Sequence, residues 1–317
     1  MADLWIADGH CDSIGDYLAR KRDLREPSSF GHWDLTRAQD ARLGLQFLAL
    51  YIESEYKPFQ AAWRGLELLQ AALEFIDKNH SDVFLVKSKN DILKLGQSDA
   101  IGLLINVEGG EIIGESLFML DLIFRLGVRS IGLTWNERNA IANGVGEGPD
   151  SGGLSQFGFK VIEKMNELGM IIDVSHVNAA GFWDVIHHSR TPIIASHSCA
   201  AALCGHRRNL TDDQLRALAA NKGLVGINFC QDFLCDNGQA DINDVVRHIC
   251  HIAEVAGVDS VGFGSDFDGI ESTPARLEHV GKYPYLVEKL SRAGFNRSEL
   301  EKICYSNYVR FLSAVIK

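Results

Sequence analysis

Short runs of apolar residues recur along the chain, and most alternate with segments that have helical periodicity. Eight such runs occur, at residues 4–10, 44–52, 100–109, 130–136, 170–176, 192–198, 224–229 and 260–269. Their nearly continuous hydrophobicity is typical of parallel strands that are covered on both faces, unlike the alternation of an exposed antiparallel sheet. The pattern therefore predicts eight buried parallel strands.

Amphipathic helix patterns lie between these strands, at residues 59–79, 116–127, 155–169 and 210–223. Gly127 and Gly169 are suited to end two of the helices, and Thr211 is suited to cap the start of the last one. Strand and helix repeated eight times are the signature of a (β/α)8 barrel. We therefore predict an α/β fold of the TIM-barrel type.

The barrel is predicted to be one domain over residues 1–317, because no linker or low-complexity tract interrupts the alternation. Longer polar loops are predicted at residues 20–43 and 136–153. Both follow strands, at the end of the barrel where such folds keep their active sites.

Composition excludes several classes of protein. The net charge is −11, and no cationic block exceeds the Arg-Lys-Arg run at residues 20–22, so nucleic acid is not expected as a partner.

The start of the chain lacks the pattern of a signal peptide, and no 18 apolar residues run together. We expect a cytoplasmic protein without a membrane anchor. The 7 cysteines form no CxxC pair and are predicted to be free thiols.

Metal-binding and catalytic residue types follow most of the predicted strands. In a parallel barrel these strand ends meet on one face, so residues far apart in sequence converge on one site. Alternation along the first strand also predicts that Asp8, His10 and Asp12 share a face and that Cys11 points away from it. The convergent residues are His10, Asp12, Glu108, Asp173, His176, His197, Asp266 and Asp268.

This set of side chains indicates a metal site. Three imidazoles and two carboxylates exceed the three protein ligands that a single catalytic zinc ion takes, whereas two divalent ions sharing one carboxylate fit the set. Zinc, manganese, cobalt and iron all accept such ligands. A hydrogen-bond network, or an incorrect strand assignment at the start of the chain, would be the alternative explanation of the polar residues there.

The chain resembles the membrane (renal-type) dipeptidase family, zinc metallopeptidases of peptidase family M19 within the amidohydrolase-like barrel superfamily. The resemblance covers essentially the whole chain and preserves the order of the motifs. It is carried by DGHCD at 8–12, INVEGGE at 105–111, DVSH at 173–176, ASHS at 195–198, RRN at 207–209 and GSDFDG at 264–269.

The resemblance implies a binuclear zinc centre. In the matching positions His10 and Asp12 bind one ion, His176 and His197 bind the other, and Glu108 bridges both. The activity it implies is hydrolysis of free dipeptides, with tolerance of a C-terminal D-residue. A homodimer also fits the resemblance.

Roles in catalysis and substrate binding follow from the same matches. Asp266 corresponds to the acid that handles the proton of the attacking water, with Asp268 as the second choice. Arg208 corresponds to the residue that binds the substrate's terminal carboxylate, a role that suits the guanidinium fork. The alternative for Arg208 is a solvated surface pair with Arg207.

The chain departs from the family pattern at Trp135, where family members often carry a histidine that contacts the substrate. The indole N–H, or Asn136, is a candidate to replace that contact. Another amidohydrolase-type reaction on the same metals, on an N-acyl amino acid, cyclic amide or lactone, is the alternative function. An inactive barrel kept as a metal-binding or assembly protein is the alternative outside the enzymes.

Overall fold

The structure is a computed structural model, which describes residues 4–148 and 151–317. Residues 149 and 150 of the predicted loop at 136–153 lie outside the described residues. The described strands are β1 (Ile6–Cys11), β2 (Leu43–Tyr51), β3 (Val83–Leu85), β4 (Ile101–Glu108), β5 (Val128–Gly132), β6 (Ile171–Asp173), β7 (Ile194–Ser198), β8 (Leu224–Ile227) and β9 (Val261–Phe263).

Eight of these strands form a closed parallel barrel, which confirms the predicted fold. Around the barrel the order is β1, β2, β4, β5, β6, β7, β8 and β9, and β9 pairs with β1 to close it. The short strand β3 pairs with the first residues of β4 and was not predicted.

Helices surround the barrel and follow the predicted alternation. They are α1 (Ser13–Leu18), α2 (Leu35–Asp40), α3 (Ala61–Lys78), α4 (Lys89–Ile92), α5 (Leu117–Arg125), α6 (Gln156–Leu168), α7 (Ala179–His188), α8 (Asp212–Ala220), α9 (Gln231–Leu234), α10 (Ile242–Ala256), α11 (Tyr283–Arg292), α12 (Arg297–Glu301) and α13 (Asn307–Val315). Thr211 caps α8 through a capping box with Gln214, and Gly169 ends α6 in the left-handed conformation, as predicted. Across the described ranges, no helix is both long and apolar enough to cross a membrane.

The last helix, α13, fills the end of the barrel where the strands begin. Its residue Tyr308 packs in one buried cluster with residues from the starts of several strands, among them Ala7, Leu45 and Ile194. A Cβ atom on Gly9 or Gly226 would lie within 3 Å of the Tyr308 hydroxyl, so glycine is required at both positions. The polar residues predicted to form the site lie at the opposite end of the barrel, where the strands end.

The first strand departs from the regular alternation. Its pairing with β2 shifts register between Asp8 and Cys11. The carboxylate of Asp8 lies outside the ligand clusters that contain His10 and Asp12. It is buried against Ser265 and Tyr283, whose hydroxyls donate to it at 2.6 and 2.8 Å. The prediction that Asp8 shares a face with His10 and Asp12 is therefore wrong, because a strand irregularity resets the side-chain alternation.

Candidate metal centre and active site

The five predicted metal ligands converge at the carboxyl ends of the strands, with Glu108 in the middle. Its Oε1 atom lies 2.9 Å from Nε2 of His176 and 3.7 Å from Nε2 of His197. Its Oε2 atom lies 3.4 Å from Nε2 of His10, which is itself 3.4 Å from Oδ2 of Asp12. One carboxylate therefore faces two separate pairs of ligand atoms.

The histidine pair next to Glu108 fits a cation. Nε2 of His176 and Nε2 of His197 face each other at 2.9 Å, so one cation could contact both nitrogens. Burial, with the charge of Arg208, lowers the pKa of His176 to about 4 and holds the pKa of His197 well below its usual value. Both imidazoles are thus neutral at neutral pH, the form that binds metal.

The other half of the cluster attracts positive charge. Burial lowers the pKa of His10, but the neighbouring Asp12 and Glu108 carboxylates overcome this and raise it well above its usual value. Burial, together with Glu108, raises the pKa of Asp12 to about 8. In addition, both ring nitrogens of His10 and Oδ1 of Asp12 are buried without a hydrogen-bond partner among the described residues. These ligand atoms without hydrogen-bond partners fit a divalent ion.

A buried network orients His197 toward the centre. Ser196 Oγ donates to Asp173 and lies 2.8 Å from Nδ1 of His197, so Nδ1 carries the proton and Nε2 is left free. Ser175 also donates to Asp173, at 2.7 Å. Asp173, predicted among the convergent residues, therefore acts on His197 through Ser196. Such second-layer hydrogen bonds fix the tautomer of metal-binding histidines.

Replacing Ser196 with alanine is expected to weaken the binding of a divalent metal ion, with zinc as the probe, by about 10- to 100-fold, because His197 loses the acceptor that fixes its ring. Competition with a chromophoric chelator measures the zinc affinity. Ser198→Ala is the matched control, since the buried Ser198 hydroxyl has no partner among the described residues. Equal affinities for the two variants would contradict the orienting role of Ser196.

His176 is oriented in the same way by a residue predicted to bind substrate. Oδ1 of Asn136 lies 3.0 Å from Nδ1 of His176, so the amide oxygen accepts the Nδ1 proton and Nε2 is directed at Glu108. Asn136 also lines the cavity described below. Its hydrogen bond to His176 was not anticipated from the sequence.

The two aspartates that follow β9 have different surroundings. Asp266 lies with Oδ1 4.0 Å from Nε2 of His10, and its Oδ2 accepts a hydrogen bond of 2.9 Å from Asn228. Asp268 instead accepts hydrogen bonds from Ser13, from Arg22 and from the backbone of residue 32. Strand alternation does not govern the directions of their side chains, because β9 ends at residue 263 and both aspartates have left-handed backbone conformations.

Arg208 is buried rather than solvated, which excludes the surface-pair alternative. Its guanidinium donates to the backbone oxygens of Ser175 and His197, and its Nε has no partner among the described residues. The ring of Phe233 lies 5.4 Å from its Cζ atom. A buried cation is thus fixed beside the histidine pair.

Trp135 packs between two residues of the site. Its ring lies 5.3 Å from that of Tyr51 and 6.0 Å from that of His176. The ammonium group of Lys57 lies 5.1 Å from the centre of the Trp135 ring. Four residues around the site were not predicted as site residues. Tyr51 ends β2 and Asn228 directly follows β8, whereas Ser196 is the middle residue of β7 and Phe233 lies in α9.

A cavity of about 630 Å³ opens over the cluster, a size typical of small-molecule sites. Its lining includes Asp12, Glu108, Trp135, His176, Arg208 and Asp266. Metal-binding groups, a carboxylate and a buried guanidinium therefore face one cavity. That combination suits hydrolysis of a small substrate that carries a negative charge.

Comparison with known proteins points to one family. Residues 1–317 match the family model described as membrane dipeptidase (peptidase family M19). A relative from Klebsiella pneumoniae, an uncharacterized protein in the pqqA 5′ region, is 37% identical over 268 residues, covering 81% of this chain and 97% of the relative.

Solved structures agree with this match. The dipeptidase AC, a metallo peptidase of family M19, is 28% identical with a TM-score of 0.93, and the alignment covers 99% of both chains. A metallo peptidase from Rhodobacter sphaeroides, liganded with a phosphinate mimic of the dipeptide L-Ala-D-Ala, is also 28% identical with a TM-score of 0.93. That alignment covers 98% of this chain and 99% of the other.

Proposed function

Because the chain belongs to the membrane dipeptidase family, peptidase family M19, and is a metallo-dipeptidase, we propose that it hydrolyses free dipeptides with two zinc ions bound. The observation that carries the proposal is the position of Glu108 between two pairs of ligand atoms. The structures of similar dipeptidases support the reaction class.

Two ions would be held by this chain's own residues. His10 and Asp12 would hold one, His176 and His197 the other, and Glu108 both. The ligand atoms of Glu108, His176 and His197 form one cluster, those of His10, Asp12 and Asp266 form another, and Glu108 Oε2 lies 3.4 Å from Nε2 of His10. The ions would supply polarisation of the scissile carbonyl group and a water molecule of lowered pKa. Other divalent ions also suit these ligands.

Asp266 is proposed to move the proton during hydrolysis. Its free Oδ1 atom faces the ligand cluster, while Asn228 holds Oδ2 and so fixes the orientation of the carboxylate. The carboxylate accepts a proton from the attacking water and delivers it to the departing amide nitrogen. General acid–base catalysis requires a group fixed within reach of both atoms.

Arg208 is proposed to bind the terminal carboxylate of the substrate. Two backbone oxygens already hold its buried guanidinium in place. The side chain therefore loses little conformational entropy when the substrate binds. This contact limits the substrate length, because a longer peptide places its carboxylate out of reach. The Rhodobacter sphaeroides enzyme's ligand, a mimic of L-Ala-D-Ala, supports acceptance of a D-residue at that end.

Arg208→Met is expected to lower kcat/KM for a free dipeptide by about 100-fold, because a buried charged contact to the substrate is lost. The same dipeptide with an amidated C-terminus should lose less than about threefold. Zinc content is measured on both proteins, since Arg208 also touches the backbone of His197. Equal losses on the two substrates would contradict the carboxylate contact.

The alternative reaction is hydrolysis of N-acyl amino acids, cyclic amides or lactones on the same centre. A panel of L,L- and L,D-dipeptides, assayed beside N-acetyl amino acids, hydantoins and lactones, separates the two functions. We expect the dipeptides to have the highest kcat/KM. A higher kcat/KM for any other class of substrate would favour the alternative reaction instead.

A further inference from the structure

Gly15 is a helical residue whose glycine identity neither the backbone nor the packing explains. It is the third residue of α1, and its φ angle is outside the left-handed region. Apart from its two chain neighbours and the backbone of its own helix, a Cβ atom placed on it would meet no atom within 4 Å. Glycine destabilises a helix relative to alanine, so its presence here needs another reason.

The open space beside Gly15 belongs to the active-site cavity. Between α1 and α3 that cavity is lined by Gly15, Ala19 and Leu68, and we call this part the α1–α3 chamber. Any side chain at position 15 would extend into it, because nothing else occupies the space next to the Cβ position. The glycine therefore keeps the chamber open.

Charged side chains surround the apolar floor of the chamber. Nε of Arg64 donates to Glu53 at 2.9 Å, and Nζ of Lys21 lies 3.3 Å from Asp16. All four residues line the same cavity. A chamber with an apolar floor and a rim of paired charges suits a long side chain that ends in a polar group.

The position of the chamber relative to Arg208 identifies the part of the substrate that reaches it. Arg208 lies in the segment after β7. The chamber lies on the other side of the barrel, because α1 follows β1 and Glu53 follows β2, and β2 is four strands away from β7 around the barrel. With the substrate carboxylate at Arg208 and the peptide bond at Glu108, the N-terminal residue points toward the chamber.

We propose that the α1–α3 chamber binds the side chain of the substrate's N-terminal residue, and that Gly15 makes this enzyme accept long polar side chains there. The proposal rests on the proposed dipeptidase function and the carboxylate contact of Arg208. It names the substrate class as dipeptides whose first residue resembles glutamine or arginine in length and polarity.

The test compares two substrates that differ only in the first residue, L-Gln-L-Ala and Gly-L-Ala. Gly15→Leu is expected to lower kcat/KM for L-Gln-L-Ala at least 20-fold and to change that for Gly-L-Ala less than threefold. Gly15→Ala, which favours the helix and adds one methyl group, should give a smaller selective loss. A merely structural role would affect both substrates equally, and equal effects overturn the proposal.

A binding measurement separates this proposal from the proposed function. Calorimetry on the zinc-loaded protein uses phosphinate mimics of the same two dipeptides, which require no turnover. If the wild-type chain hydrolyses neither dipeptide, the proposed function fails, but selective loss of the glutamine mimic in Gly15→Leu still supports the chamber. Failure of the wild-type chain to bind the glutamine mimic, or equal binding by Gly15→Leu, overturns it.

Discussion

Glu108→Gln is expected to abolish dipeptide hydrolysis, with kcat/KM reduced at least 10⁴-fold, and to lower the zinc content from two per chain to one or none. The substitution keeps the shape of the side chain but removes the negative charge between His10 on one side and His176 on the other. An amide also offers only one acceptor oxygen, so it cannot serve two ions as a carboxylate does.

Elemental analysis of the purified variant gives the zinc content, and circular dichroism shows whether the barrel is folded. Glu111→Gln is the matched control, because this buried carboxylate lies three residues away, beside Lys57, and outside the ligand cluster. It should retain two zinc ions. A Glu108→Gln enzyme that keeps both ions and its activity would contradict the bridging role.

Asp266→Asn is expected to lower kcat about 10³-fold while two zinc ions remain bound and KM changes less than threefold. The size of the loss is typical of removing a general acid–base group. The amide keeps the shape of the side chain and can still interact with Asn228, so the centre should remain assembled.

Zinc content decides between proton transfer and metal binding by Asp266, because its carboxylate also lies near the ligand atoms of His10 and Asp12. Loss of an ion together with kcat would make Asp266 a ligand. Asp268→Asn serves for comparison. Its carboxylate joins Ser13, Arg22 and residue 32, so a lowered melting temperature is the main effect expected.

The fold and the convergence of the ligands could be predicted because both depend on the order of strands along the chain. A closed parallel barrel brings all strand ends together whatever the exact register, so Glu108 and His197 meet even though 88 residues separate them in sequence. The long apolar runs also marked all eight barrel strands. Among the described strands, the short β3 alone gave too weak a signal.

Features that depend on local backbone detail could not be predicted. The register shift in β1 leaves the Asp8 carboxylate outside the ligand cluster that contains His10, and no pattern in the sequence predicts this shift. Asp266 and Asp268 depart from strand geometry for the same kind of reason.

The hydrogen bonds that orient the histidines were also beyond the sequence. Ser196 and Asn136 act on His197 and His176 through distances of about 3 Å, which only the assembled barrel defines. The open space beside Gly15 is likewise a property of packing between α1 and α3. A glycine in a predicted helix does not by itself indicate open space beside it.

The most direct test of the account is a zinc titration of metal-free protein, with hydrolysis of an L,D- and an L,L-dipeptide measured at each step. We expect no hydrolysis without metal and a rise that saturates at two zinc ions per chain. Full hydrolysis without metal, or two bound ions with no dipeptide cleaved, would contradict it.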